Sequence, residues 1–170
     1  MRILRLSFLP AVIVFLFASF PLFALSSTKT LADSGIAIVR VFTGWKEGAS
    51  FKRISEYFNE KENTGGAVVL RTHADQRSGF YFLVRASNPG SPVAVKINLE
   101  LIKPTDNQPK MYSFSTDLKA GTNVLNLGLT ADDWTDEKAN PVAWKIDFVG
   151  ADGHVLTTEK SYLWAKPETN

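Results

Sequence analysis

The run Val93, Ala94, Val95, Lys96, Ile97, Asn98, Leu99, Glu100, Leu101 alternates without a break: each odd position is aliphatic, and the even positions from Lys96 onward are polar. Successive side chains of an extended strand point to opposite faces, so this stretch is a strand with one dry face and one wet face.

Working outward, seven further stretches share its enrichment in β-branched and aromatic residues: 36–43, 67–72, 79–86, 110–115, 122–129, 142–149 and 154–164. Turn-forming residues separate them. Asn88, Pro89 and Gly90 precede the strand at 93, Ala120 and Gly121 precede the one at 122, and Gly150, Ala151, Asp152 and Gly153 precede the last. About eight short strands at near-regular spacing, with almost no helical period, predict an all-β chain folded as an antiparallel β-sandwich whose final pair is a hairpin.

Residues 50–59 break the pattern. Phe51, Ile54 and Phe58 recur at i, i+3 and i+7 with Tyr57 beside them, while Lys52, Arg53, Glu56 and Glu60 fill the remainder. That spacing predicts one short amphipathic helix inserted toward the N-terminal side. The strand at 79–86 is apolar on both faces, Phe80, Phe82 and Val84 on one and Tyr81 and Leu83 on the other, so both need cover. If the loop after Thr72 joins paired strands, Val68 lies opposite Leu83, Leu70 opposite Tyr81, Val69 opposite Phe82 and Arg71 opposite Phe80. A sheet partner then covers one face, and the helix, through Phe51, Ile54 and Phe58, covers part of the other against Phe82.

At the N-terminus, Arg2 and Arg5, an apolar run from Leu6 to Phe23, and small or polar residues from Ala24 to Thr30 follow the order of a secretory signal peptide. Cleavage is expected after Ser26, or else after Ala24, leaving 27–170 as a single domain. An uncleaved anchor is the alternative, since the run is nearly long enough to cross a bilayer, but Pro10 and Pro21 oppose a regular spanning helix. The chain has no cysteine. It therefore lacks the residue a bacterial lipoprotein anchor needs, and it must hold itself by packing rather than by disulfides. The expected address is periplasmic or secreted, with no membrane span once the leader is gone.

Of the 19 basic residues the leader takes Arg2 and Arg5, so the remainder carries as many cations as its 17 acids. With no dense basic block, a nucleic-acid partner is set aside.

Catalytic patterns are missing too. There is no nucleophile elbow, Walker loop or dinucleotide fingerprint, and Asn63, Thr64, Gly65, Gly66 reads as a turn before a strand. His73 with Asp75 makes two ligands in a loop without a third, and His154 opens a strand after Asp152 and Gly153. Asp132, Asp133, Asp136 and Glu137 lack the alternating spacing of a calcium loop; Thr130 with Asp133 reads as the cap of a single helical turn. Glu56 and Glu60, with Lys52 one turn back, read as a solvated helix face rather than an acid and base pair. No catalytic residue, metal or cofactor is assigned.

Recognition is better supported. Trp45 and Trp134 fall in expected loops, where a large ring either stacks on a sugar or packs over the end of the sandwich. Trp144, alternating with Ile146 and Phe148, reads as core, and Trp164 as the close of the last strand. Arg71, Arg77 and Arg85 near Tyr57 and Tyr81 suit an anionic or carboxylated ligand, or else pair with neighbouring acids. The candidate binding residues are Trp45, Tyr57, Arg71, Arg77, Tyr81 and Trp134.

From about Gly79 to Trp164, the succession of short strands, the Ala120, Gly121 turn and the closing hairpin resemble immunoglobulin-like and fibronectin type III-like modules of exported bacterial proteins. The cysteine pair of antibody domains is absent, and the helix before Gly65 departs from a minimal module. The resemblance implies an adhesive, spacer or binding role, and fold alone does not choose among these. The expected function is a non-enzymatic binding or structural module that engages another envelope or secreted protein through an edge strand or the region 45–65. A carbohydrate-binding module using Trp45 or Trp134 is the first alternative and a small hydrolase the second.

Overall fold

All eight enriched stretches become strands. The computed structural model describes residues 35–59 and 62–165, with β1 (Ala37–Lys46), β2 (Val68–Arg71), β3 (Gly79–Asn88), β4 (Val93–Lys103), β5 (Asp106–Leu118), β6 (Gly121–Thr130), β7 (Ala143–Gly150) and β8 (Val155–Lys160). A 3-10 turn (Gly48–Phe51) and the one-turn helix α1 (Glu56–Asn59) lie between β1 and β2. Another 3-10 turn (Ala131–Asp133) follows β6, and α2 (Tyr162–Ala165) follows β8. The expected leader, 1–26, lies outside the described residues. No helix among those described is long and apolar enough to cross a membrane.

The strands form two four-stranded sheets, in the orders β1-β3-β6-β2 and β5-β4-β7-β8. Every pairing is antiparallel except that of β2 with β6. Their dry faces meet. Phe80, Phe82, Val84, Leu125, Leu127 and Leu129 of the first pack against Val95, Ile97, Leu99, Leu101, Ile146 and Phe148 of the second, all buried. At about 1.5–3 kcal/mol for each large apolar side chain withdrawn from water, this cluster is the main stabilising contribution. The alternation at 93–101 is met in full: Val95, Ile97, Leu99 and Leu101 point inward, and Lys96, Asn98 and Glu100 outward. Pro109 sits in β5, an edge strand, where a missing backbone N–H is tolerated.

The expected β2–β3 hairpin does not form. β6 enters between the two strands, antiparallel to β3 and parallel to β2. Ten residues of β6 satisfy the whole hydrogen-bonding edge of the ten-residue β3, which the four-residue β2 would leave largely bare. The faces exchange as a result: Leu70 lies on the inner face with Phe82, and Arg71 on the outer face with Tyr81.

The amphipathic helix is corrected as well. Residues 50–59 end one 3-10 turn, bend and make a single helical turn, leaving Ile54 79%, Tyr57 73% and Phe58 81% exposed. Phe82 is fully buried between the sheets, and the segment lies over the opposite face, where Phe51 alone of the three expected anchors reaches the sheet, its ring 4.7 Å from that of Tyr81. Glu56 turns inward to Arg77, occupying the side of the turn that the apolar residues were expected to use. So short a helix has little propensity of its own and takes the shape its tertiary contacts impose. The expectation that β3 is covered on both faces does hold, with Tyr81 as buried as Phe80.

β8 stops at Lys160, short of the expected Trp164. The Ser161 N–H donates to the Trp144 carbonyl, and the chain turns into α2. Trp144 packs edge-on to Phe82 at 5.8 Å.

Candidate functional site

The site is built on the outer face of the first sheet, where alternation calls for polar groups and apolar ones stand instead. Tyr81 is flanked by two glycines, Gly44 on β1 and Gly128 on β6. A Cβ on Gly128 would fall 2.4 Å from Tyr81 Cε1, so a side chain there would displace the tyrosine ring. The next row across the sheet reads Phe42, Leu83, Asn126, Val69.

Over this face the described parts of the segment 48–66 fold back and are clasped by charges. Arg71 makes a two-pronged ion pair with Glu62, Nη1 to Oε2 at 3.0 Å and Nη2 to Oε1 at 2.5 Å, and donates from Nε to the Tyr81 hydroxyl at 3.0 Å. Tyr81 in turn donates to the Arg77 carbonyl at 2.7 Å. Arg77 Nη1 lies 2.7 Å from Glu56 Oε2, and the other Glu56 oxygen accepts the backbone N–H groups of Asn63 and Arg53 at 3.0 and 3.3 Å. The Asn63 N–H first, then the Arg77 guanidinium, hold the Glu56 carboxyl at about 2. Arg71 keeps Glu62 below the ordinary carboxylate value, and burial pushes the Tyr81 hydroxyl up. Removing one member of such a set strands a charge in a dry place, which is why it can pin a loop.

The fold thus brings three candidate residues together, Arg71, Arg77 and Tyr81, with Tyr57 exposed on the segment they hold. Both arginines are engaged by Glu62 and Glu56, the pairing alternative to an open anion site. Arg85 stands apart, opposite Arg40. Glu56 is buried in the clasp instead of lying on a solvated face, and its expected neighbour Glu60 lies outside the described residues. Trp45 is not in a loop; it sits near the end of β1, half-buried against the core, with Nε1 donating to Glu47 at 3.0 Å. Trp134 is 4% exposed, its ring 4.7 Å from that of Phe80 and its Nε1 donating to the Asp136 carbonyl, so it has no open face for a sugar.

At one end of the sandwich His73 turns to Asp133 rather than Asp75, Nε2 to Oδ2 at 3.3 Å, and Lys110 takes the other oxygen at 3.1 Å. Lys103 reaches the Asp133 carbonyl. Thr130 precedes a helical turn as expected but does not cap it: its hydroxyl accepts from the His73 N–H at 3.0 Å and donates to the His73 carbonyl at 3.1 Å. Among the described residues, no three metal-ligating side chains converge.

One contact had no local signal at all. Lys46 and Asn126, on strands separated by β3, meet at 3.2 Å, Nζ to Oδ1, beneath the Phe51 ring.

The two sheets and their pairing define an all-β sandwich. No family model and no curated protein matches the chain. Among solved structures it is similar to an immunoglobulin-like protein from Pseudomonas aeruginosa, at 14% identity over 76% of this chain and 96% of that one, with a TM-score of 0.30.

Proposed function

We propose that the protein is an exported, non-enzymatic binding module that engages another protein of the envelope or cell exterior through Ile54, Tyr57 and Phe58. The observation that carries this reading is their exposure, 79%, 73% and 81%, on one short segment. Clustered large apolar groups in solvent mark interaction sites, whereas single ones need no explanation. The segment is also pinned, through Glu56 to Arg77 and Glu62 to Arg71, so much of its ordering entropy is lost before a partner arrives. Glu56, engaged by Arg77 and two backbone donors, serves as a strut rather than as an acid or base. The cation, apolar run and small residues at 2–30 supply the export signal.

A photo-crosslinking residue at position 57, in the full chain expressed in the cells that make it, tests the reading against the same residue at the exposed position 158 on the other sheet. One discrete protein adduct from 57 and none from 158 supports it; indistinguishable labelling from both sinks it. The intact mass of the recovered protein reports on export, since a soluble product shortened near Ser26 is expected and a full-length membrane-bound one contradicts it.

A further inference from the structure

We infer that the groove between the clasped segment and the outer face of the first sheet is a binding site for a small aliphatic carboxylate. It encloses about 380 Å³, within the range of small-ligand sites. Val69, Leu83 and Val124 from three adjacent strands form an apolar floor, Phe51 a wall, and Lys46 and Arg53 bring two cations to the same space; the one acid among the described residues of that lining, Glu62, has both oxygens taken by Arg71. The ligand they match has an apolar body and one anionic end.

The charge pattern is what assigns the carboxylate. Arg71 and Arg77 beside the groove are each paired with a glutamate, but among the described residues no acid pairs with the side chain of Lys46 or of Arg53. Lys46 Nζ lies 5.2 Å from the centre of the Phe51 ring and 5.8 Å from that of Tyr81, and among the described residues its hydrogen-bond acceptor is the neutral Asn126 amide. Burial lowers its ammonium from the ordinary lysine value, the mark of a cation desolvated without a counter-ion. The Arg53 guanidinium rests over Gly65, where a Cβ would fall 2.0 Å from Nη2, so a side chain at 65 would evict it. A carboxylate set between Lys46 and Arg53 supplies the missing counter-charge, and its chain lies along the valines and Leu83. The larger hollow, about 710 Å³ on the outer face of the second sheet, has Lys96 and Asp117 among its lining and shows no such imbalance.

The inference does not depend on the protein partner proposed for Ile54, Tyr57 and Phe58, and its test uses no protein partner. Protein recovered after expression of the full chain, labelled with nitrogen-15, is titrated by NMR with octanoate, with methyl octanoate and with a valine-terminated peptide. Saturable shifts at the amides of Lys46, Phe51, Val69, Val124 and Asn126 are expected with octanoate, with the ester about tenfold or more weaker. Lys46→Gln should weaken octanoate to the level of the ester while keeping a dispersed spectrum, and Lys46→Arg should recover most of the affinity. Arg53→Gln, at an exposed position, gives a second reading should Lys46→Gln unfold. Equal affinity for acid and ester, shifts confined to other regions, or binding of the peptide alone would overturn the assignment.

Discussion

The two sheets present opposite kinds of outer face. On the second, the centre is polar and its side chains satisfy one another, although Met111 and Val149 interrupt the alternation. Lys145 Nζ lies 3.3 Å from Glu100 and 3.1 Å from Asp147, Ser113 donates to Asn98 at 2.9 Å, and Thr158 donates to Asp147 at 2.7 Å. On the first, the Tyr81 ring lies against Gly128, Leu83 and Val69 stand where polar residues belong, and a clasp of two glutamates and two arginines holds a loop overhead. One face is a boundary with water, whose exposed pairs contribute little. The other is a second, smaller interior. Where a sheet pattern departs from alternation, the departure marks a face that another part of the chain covers.

Several substitutions break or sharpen that contrast. The largest effect is expected from Gly128→Val, which drives a side chain into the Tyr81 ring and should lower unfolding stability by about 1–3 kcal/mol or more in urea titration. Arg71→Met should follow, at roughly 1–3 kcal/mol. It removes the closest partner of Glu62, but Arg77 Nη2 stays 3.7 Å away and the carboxylate is 29% exposed, so the loss stays below that of a fully buried pair.

Acid should act on the same face. Glu56 titrates at about 2 in the folded protein, below the ordinary carboxylate value of 4.5, so its contribution is fully present above 4.5 and is lost as pH falls toward 2. Glu62, also depressed, adds loss in the same direction. Thermal melts from pH 7 to 2 should therefore fall more steeply for the wild type than for Glu56→Gln; parallel curves would show that the clasp holds nothing. The smallest effects belong to Ser113→Ala and Thr158→Ala on the second sheet, expected within about 0.5 kcal/mol of wild type. A larger cost there would erase the distinction between the faces.

The eight strands and the inner face were legible because both are local: a period of two at 93–101, and turn residues such as Gly121 and Gly153 at positive φ, follow from neighbours in the chain. The burial of β3 on both faces was legible for the same reason. Its partner was not, because β2 and β6 are both apolar and only the hydrogen-bonding edge of all ten residues of β3 decides between them. Arg71, Arg77 and Tyr81 were found as a group because they lie close in sequence, whereas their engagement by Glu56 and Glu62 needed the fold. Trp45 was misplaced as a loop residue because a strand end carries no period that distinguishes it from a loop, whereas Trp134 does lie in a loop and packs its ring on Phe80.

By itself, then, the chain order determined an all-β sandwich, its core positions and the peculiarity of residues 50–59. Only tertiary structure decided which face that segment covers, which acids neutralise which arginines, and that Lys46 meets the Asn126 amide without an ion pair among the described residues. Periodicity is set by backbone geometry between neighbours, but burial of charge depends on groups that are distant in the chain and become neighbours only when the sheets close.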